Sequence, residues 1–550
     1  MPVERTCEIT GKRFVVSDTE IELRAMFGVP LPTVHPTERM RELMVWRPQH
    51  LLFKYQCGLC KKEGLTGYPP TAKFPKYCKQ CYYSDAWEPP LQEIDFSRLF
   101  FDQYRELVDR APRLALSVTE PVENSDYCNA VTGVKNCYMC FNLGHSERCI
   151  YVQTALYNKD CVDTYAIGNS EIVYECMGGG FLYKTFWSRQ VIKCTDSYFL
   201  YDCEDCMNCF MSTGLRHKQY VFRNDQLSRE NYEKRIAEID FGDYQTIQSL
   251  RSEYDEMRMF YPKSALIGIK NENVRGNYLY GCKDAYESYM LDASENCVNC
   301  YNLTDKTKDC LDVCAFGYGL ERAYCSSAVG ISAYNIQYGT IIVEGSRDCQ
   351  YCIEMRGCSD CFGCVGLRKK QYCIMNKQYG KDEYEAFKLQ LIDHMKEAGE
   401  YGKFFPKDMS PWGYNETVAQ LAMPFSKHEA EERGFPWHER PVPTYSQQDA
   451  YIPLDNIKDI SWDDLQGKVI VCEESARPFK IIKQEFDFYK KYSIPLPRLH
   501  PDVRLKHRYP TGELYNLHDA QCMQCGITVQ TSMRNEDKIL CEQCYQKAIY

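Results

Sequence analysis

Residues 136–163 read NCYMCFNLGHSERCIYVQTALYNKDCVD, and this stretch places Cys137, Cys149 and Cys161 twelve residues apart. Steps of 11 to 13 residues continue the series through Ile172, Tyr183, Cys194 and Cys206. No stepped position is charged. The period is too long for one helix or strand, and the intervening runs are rich in β-forming residues. We therefore predict a β-solenoid in which stacked coils bury a ladder of like residues. One coil could hold one, two or three periods.

The middle of the chain is doubled. The motif Cys203-x2-Cys206-x2-Cys209 recurs as Cys358-x2-Cys361-x2-Cys364, and a second ladder runs through Cys297, Cys310, Ala323, Ile336, Cys349 and Cys361. These repeats predict a mainly β fold with two tandem solenoid lobes, residues 123–226 and 270–376. Each lobe is followed by a predicted helical segment, residues 227–269 and 377–407.

The two ends of the chain also match each other. Cys7, His35, Cys57 and Cys60 recur 465 residues later as Cys472, His500, Cys522 and Cys525. This match predicts two zinc-ribbon modules, residues 1–84 and 467–550, that flank the lobes. We expect a helical joint at 85–122 and a Pro- and Trp-rich linker at 408–466.

Two four-cysteine motifs are the strongest functional signal in the sequence. Paired Cys-x2-Cys knuckles 15 to 20 residues apart suit tetrahedral Zn²⁺. We predict two structural zinc ions, because four thiolates leave no open position for water. The alternative is eight buried cysteines without metal. The predicted ligands are Cys57, Cys60, Cys78 and Cys81 in the first site, and Cys522, Cys525, Cys541 and Cys544 in the second.

Weaker metal motifs precede each ribbon. Cys7, His35 and Glu38 could be ligands, whereas the second module retains only Cys472 and His500. We interpret both groups as eroded metal sites or as packing residues.

The Cys203–Cys209 and Cys358–Cys364 triplets resemble three ligands of a bacterial iron–sulfur motif, but the fourth is missing. On a regular strand, residues i and i+3 point to opposite faces, which disfavours a cluster. We favour packed thiols over an iron–sulfur site, a further zinc site or thiol-redox chemistry. The same argument assigns Asp160/Asp163 and similar aspartate pairs to turns and makes polysaccharide cleavage the weakest hypothesis.

Composition bounds the remaining readings. The chain has 550 residues, 32 cysteines and a net charge of −10. It shows neither an apolar signal segment near Met1 nor a run of about 18 apolar residues. We therefore expect a cytoplasmic protein without membrane contact, whose cysteines are metal ligands or free thiols. Residues 54–83 carry six lysines among aromatic residues, which makes them a possible RNA or DNA contact.

Several segments resemble an uncharacterised family of cysteine-rich zinc-ribbon proteins from genomes of uncultivated bacteria. The resemblance covers most of the chain and implies its architecture, but the family has no known activity to carry over. In that family the upstream module pairs Cys-x2-Cys with Cys-Pro-x-Cys, and this chain departs from that pattern at Thr10, His35, Glu38, Ser475, His500 and Val503. The resembling segments are Cys7–Phe14, Glu123–Tyr127, Leu496–Asp502, Cys541–Cys544 and the repeated Gly-Leu-Arg-x-Lys-Gln-Tyr runs.

These features favour a non-catalytic zinc-binding scaffold with a protein or ribonucleoprotein partner. We find no P-loop, His-Glu-x2-His or Gly-x-Ser-x-Gly motif. The first alternative is RNA or DNA binding through the basic ribbon, and the second is iron–sulfur redox chemistry at the triplets.

Overall fold

The computed structural model describes residues 2–48, 51–510, 514–534 and 537–549. Within these residues the fold is mainly β, with two long, predominantly parallel sheets of 14 and 13 strands, short helices, and a four-cysteine cluster towards each end. This confirms the predicted fold class. None of the described helices combines the length and apolar character needed to cross a bilayer.

The first lobe is a stack of twelve-residue coils. Gln153 pairs with Tyr165 on one face, and Lys159 pairs with Glu171 on the other, so each coil contributes one short strand to each face. One sequence period is therefore one coil. The strands are Val118–Glu123, Asn129–Lys135, Phe141–Gly144, Gln153–Leu156, Lys159–Val162, Tyr165–Gly168, Glu171–Tyr174, Met177–Gly180, Tyr183–Phe186, Arg189–Ile192, Thr195–Glu204, Met207–Thr213, Gln219–Phe222 and Asp225–Gln226.

The twelve-residue step corrects part of the predicted ladder. Cys161 pairs with Val173, Val173 with Thr185, and Thr185 with Ser197. The predicted positions Ile172, Tyr183 and Cys194 are therefore out of register. The error arose because the steps were shortened to 11 to keep large or sulfur-containing residues in the ladder, whereas the interior also accepts Thr and Ser.

The second lobe follows its predicted ladder. Cys297, Cys310, Ala323, Ile336, Cys349 and Cys361 lie in register on successive strands. Its strands are Gly268–Ile269, Glu272–Tyr280, Lys283–Asp292, Glu295–Thr304, Lys308–Gly317, Glu321–Gly330, Tyr334–Gln337, Thr340–Val343, Arg347–Gln350, Ile353–Arg356, Ser359–Phe362, Gln371–Ile374 and Lys377–Gln378.

A repeated backbone conformation turns the chain within each coil. Asp202, Asp205 and Asn208 have φ values of 52°, 53° and 53°, and this left-handed conformation recurs at nearly every third residue through the first lobe. Asp and Asn tolerate it better than most residues with a Cβ. Each such residue redirects the chain, so that every third side chain points into the lobe.

The triplet cysteines therefore share one interior, contrary to the expectation of opposite faces. Cys203, Cys206 and Cys209 are at most 2% exposed and belong to one buried cluster. The second triplet lies likewise in the core of the second lobe. The expectation was wrong because it assumed regular strand geometry across residues that adopt left-handed φ values.

Small polar side chains complete the interior. Ser188 Oγ donates to Phe186 O at 2.9 Å and accepts from the backbone N–H of Leu200, one coil later, at 3.0 Å. The thiol of Cys140 donates to Tyr138 O at 3.4 Å. Buried polar groups that find such partners avoid the desolvation penalty.

Helices occupy the joints and the linker. The helix predicted within 227–269 buries Ile247, Leu250 and Tyr254 on one face, as its spacing indicated. The helices are Phe100–Arg110 before the first lobe; Arg229–Ala237 and Tyr244–Phe260 between the lobes; Lys381–Glu397 after the second lobe; and Val418–Ala422, Lys427–Glu432 and Trp462–Leu465 in the linker.

The terminal modules have parallel layouts. The first contains strands Val3–Thr6, Arg13–Val16, Phe53–Gln56, Glu63–Thr66 and Lys76–Tyr77, and helices Asp18–Phe27, Pro36–Met44 and Lys79–Tyr82. The second contains strands Ile470–Val471, Pro478–Phe479, His518–Gln521, Thr528–Thr531 and Ile539–Leu540, and helices Lys483–Tyr492, Pro501–Arg508 and Glu542–Ile549.

Each terminal module is anchored on the lobe that is farther away in sequence. In the N-terminal module, Arg39 contacts Asp312 of the second lobe at 2.5 Å, and Arg24 lies 3.4 Å from the same carboxylate. In the C-terminal module, Arg504 and Arg508 both bind Asp163 of the first lobe.

These two ion clusters are equivalent. Arg39 and Arg504 are 465 residues apart, and each also pairs with a buried glutamate of its own module, Glu20 or Glu485. Burial raises the pKa of Glu485 to about 7 against the opposing charge of Arg504. Asp163 and Asp312 thus do more than occupy turns, because they anchor the ends of the chain to its middle.

The Asp163→Asn variant should be strongly destabilised. Removing the carboxylate leaves two buried guanidinium groups without their counter-charge, which costs about 3–5 kcal/mol. We expect a lower urea midpoint and earlier proteolysis in the linker. Asp160→Asn is the control, because Asp160 pairs with the half-exposed Arg148 and such a pair contributes about 0–1 kcal/mol. Equal effects of the two variants would contradict the anchoring role.

Candidate metal centres

The first four-cysteine cluster joins a hairpin to a short helix. Cys57 and Cys60 lie in the tight turn after strand Phe53–Gln56, where Cys57 N–H donates to Lys62 O at 2.8 Å. Cys78 and Cys81 lie at the start of helix Lys79–Tyr82. All four sulfur atoms are within 4.8 Å of one another. The two knuckles therefore converge as their spacing predicts.

The second cluster repeats this geometry. Cys522 and Cys525 lie in the turn after strand His518–Gln521, and Gly526 in that turn has a φ of 72°, which glycine adopts without steric cost. Cys541 and Cys544 come from the start of helix Glu542–Ile549. The four sulfur atoms again lie within 4.8 Å of one another.

Backbone donors favour a thiolate in each cluster. Burial alone would raise the pKa of Cys57, but N–H groups that include that of Cys78, 3.4 Å from the sulfur, lower it to about 6. Similar N–H donors, led by Cys541, lower the pKa of Cys522 to about 6.

The other thiols resist ionisation without a cation. Burial, followed by hydrogen bonding with its neighbours, raises the pKa of Cys81 to about 12, and hydrogen bonding with Cys541 is the main cause that raises the pKa of Cys544 to about 12. A bound divalent ion would compensate the negative charge of four crowded thiolates. Tetrahedral sulfur sets of this kind suit Zn²⁺ or iron.

The weaker upstream motifs do not assemble comparable sites. His35 Nδ1 accepts the N–H of Thr37 at 3.2 Å and so caps a helix, while Glu38 pairs with Arg41 at 3.3 Å. His500 caps the equivalent helix through the N–H of Asp502 at 3.1 Å. Among the described residues, the groups of three or more ligating side chains within 4.8 Å are the two four-cysteine clusters.

The triplet thiols make structural hydrogen bonds. Each donates to the carbonyl oxygen two residues before it, with donor–acceptor distances of 3.3–3.5 Å across both triplets. Their side chains therefore contribute to the coil backbone, which supports the packed-thiol interpretation.

The basic first ribbon uses its aromatic residues internally. Tyr68, Phe74 and Tyr82 are 8%, 4% and 1% exposed. Arg113 lies over the ring of Phe74 at 5.0 Å, and Arg368 lies over that of Tyr82 at 5.3 Å. These rings are not free to stack on bases, although the lysines of residues 54–83 remain a possible nucleic-acid contact.

Sequence reasoning missed the residues that dock the modules. Asp163 and Asp312 occupy matching positions in the two lobes, and Arg39 and Arg504 occupy matching positions in the two modules. The two repeats together contained the signal. It could have been found by asking which charged residues are retained at equivalent positions in both copies.

No protein-family model matches the sequence, and no curated protein matches it. Among solved structures, a protein from Desulfovibrio desulfuricans G20 that is provisionally named an acetyltransferase is 11% identical over 51% of this chain and 81% of its own, with a TM-score of 0.10. A likeness this distant carries no argument about the function of this chain.

We expect two zinc ions per chain, because each four-thiolate set binds one ion. Elemental analysis of protein purified without oxygen measures this directly. Cys60→Ser and Cys525→Ser should each remove one ion, whereas Cys206→Ser, inside the first lobe, should remove none. Several iron atoms per chain that depend on Cys206 would instead support a cluster at the triplets.

Acid should release the metal from both centres. In the metal-free chain Cys57 and Cys522 are thiolates above about pH 6, and they take up protons as the pH falls through that value. Protons then compete with the ion for sulfur. Metal retained after dialysis against a chelator should therefore decrease from neutral to acidic pH. Constant retention across this range would contradict thiolate ligation.

Proposed function

We propose that this chain is a non-catalytic zinc-binding interaction protein that presents a rigid solenoid surface to a protein partner. The observation that carries the proposal is an aromatic edge on the first lobe, formed by His145, Tyr157 and Phe181. Tyr157 is 57% and Phe181 is 60% exposed. Exposed aromatic side chains of this kind are typical of protein interfaces.

The aromatic edge is regular and held by the backbone. His145, Tyr157 and Phe181 lie on equivalent positions of the first, second and fourth of four successive coils, and the rings of His145 and Tyr157 stack at 5.1 Å. A strand spacing of about 4.8 Å separates Tyr157 and Phe181 by roughly 10 Å. Their N–H groups bond to the preceding coil, at Gly144 O and Gly168 O, each at 3.0 Å. A surface organised before binding loses little conformational entropy.

The predicted zinc ions would stabilise the arrangement of the two lobes. Strand Lys76–Tyr77 of the first ribbon pairs with Arg113–Leu114, just before the first lobe, while Tyr82 meets Arg368 of the second lobe. The second ribbon makes the reciprocal connection, since Ile539–Leu540 pairs with Lys263–Ser264 and Tyr545 contacts Asp202. Closed four-thiolate sites suit this structural role.

The resemblance to cysteine-rich zinc-ribbon proteins of uncultivated bacteria supports the same architecture. It implies no activity and so is compatible with a binding role.

Co-purification from an extract of its own cells tests the proposal. Full-length protein should retain a stoichiometric partner, and the double variant Tyr157→Ala/Phe181→Ala should lose it, because both anchors of the edge are removed. Leu389→Ala is the matched control, since Leu389 is 63% exposed on a helix outside the edge.

Equal recovery by the double variant and the wild type would refute the role of the edge. Loss of the partner only after nuclease treatment would favour the alternative of RNA or DNA binding.

A further inference from the structure

The two ribbons contain an equivalent pair of residues next to a cleft. Thr66 Oγ1 donates to Ala115 O at 3.0 Å, and Thr531 Oγ1 donates to Ala265 O at 2.8 Å. In each case the N–H two residues later bonds back to the threonine hydroxyl, from Tyr68 and Met533. Gly67-Tyr68 of the first ribbon therefore corresponds to Ser532-Met533 of the second.

The other wall of each cleft also corresponds. Phe14 packs edge-on against His35 in the N-terminal module, and Phe479 packs edge-on against His500 in the C-terminal module. Both pairs are separated by 465 residues. The same offset relates Lys12 to Arg477 and Thr37 to Asp502.

In one half of the molecule, the linker occupies the space between these walls. Trp412 Nε1 donates to Gly67 O at 2.9 Å, and its ring stacks on Tyr68 at 5.3 Å. The indole is thereby buried, with 3% exposed. The chain then doubles back, with the N–H of Gly413 donating to His438 Nδ1 at 3.2 Å.

The linker also reaches the opposite wall of this cleft. Arg440 lies 3.5 Å from Glu416, and its charge interacts with Asp502 and Arg477 of the C-terminal module. One linker thus supplies an aromatic anchor to the ribbon and a charged group to the facing module.

The corresponding cleft in the other half is open. It has a volume of about 800 Å³. Its walls include the residues equivalent to those that the linker covers: Ser532 and Met533 of the ribbon, and Lys12, His35 and Thr37 of the N-terminal module. The second lobe contributes Arg275 and Glu287.

The open cleft has a different charge from the filled one. Thr37 replaces Asp502, so the carboxylate near the linker's arginine has no counterpart on this wall. Four basic residues, Lys12, Arg13, Arg275 and Arg534, line the cleft against two acidic ones, Glu287 and Asp519. An occupant with carboxylates would complement this surface.

We propose that the open cleft binds an extended acidic segment of a partner protein, with an aromatic side chain against Ser532-Met533 and carboxylates near Lys12. The inference rests on the proposed role in protein binding, but it concerns a surface separate from the aromatic edge. The linker's placement in the equivalent cleft provides the template for the occupant, and the charge difference gives its sign.

A peptide-binding measurement tests this proposal. The probe is a fluorescein-labelled peptide with the sequence of residues 410–416, SPWGYNE, followed by two aspartates. Fluorescence anisotropy with the full-length protein should show binding at least about tenfold tighter than for the same peptide ending in two lysines, because like charges repel in the cleft. Replacing the probe tryptophan with alanine should also weaken binding.

Variants of the protein locate the site. Lys12→Glu should weaken binding of the acidic probe by about tenfold. Lys480→Glu is the matched control, because it makes the same charge change in the other terminal module, away from the cleft, and it should leave affinity unchanged.

The remaining outcomes separate this proposal from the proposed function. If the aromatic-edge variants leave probe binding intact while Lys12→Glu weakens it, the cleft is the site even if the edge captures no partner. Loss of probe binding only in the edge variants would overturn the cleft and leave the edge as the binding surface. Equal binding of all peptides, displacement by a single-stranded oligonucleotide at equimolar concentration, or competition by self-association would also overturn the proposal.

Discussion

The left-handed backbone conformation at every third residue is the constraint on which the lobes depend. It turns the chain four times in each twelve-residue coil of the first lobe and directs every third side chain inward. The interior is consequently narrow, and small residues fill it. Ten cysteines lie in the core of each lobe, among Val, Ala, Leu and other compact residues.

This geometry gives cysteine a structural role that differs from metal ligation. A thiol is small and apolar enough for a dry interior, and its S–H group can donate weakly to a nearby carbonyl. The thiols of Cys203 and Cys361 do this inside their coils. The ribbon cysteines instead converge in groups of four, where backbone N–H groups favour thiolate. One residue type thus serves two functions, which are distinguished by the surrounding backbone.

The ends of the chain connect its two repeated halves. The N-terminal module packs on the second lobe through Asp312, and the C-terminal module packs on the first lobe through Asp163. Buried charges of this kind require their partners, since a lone buried charge is strongly unfavourable. The repeated contacts also produce two equivalent clefts, of which the linker occupies one. The asymmetry between the halves therefore arises largely from the single linker.

The sequence by itself determined the repeat period, the two lobes and the eight ribbon cysteines. A coil of constant length leaves a constant spacing in sequence, and four ligands on two knuckles require a characteristic spacing. The inward direction of Cys203, Cys206 and Cys209 was decided by the tertiary structure, because it depends on backbone angles that many residue types adopt only within stacked coils. The pairing of Arg504 with Asp163 was likewise a tertiary outcome, since 341 residues separate the partners and only packing brings their charges together.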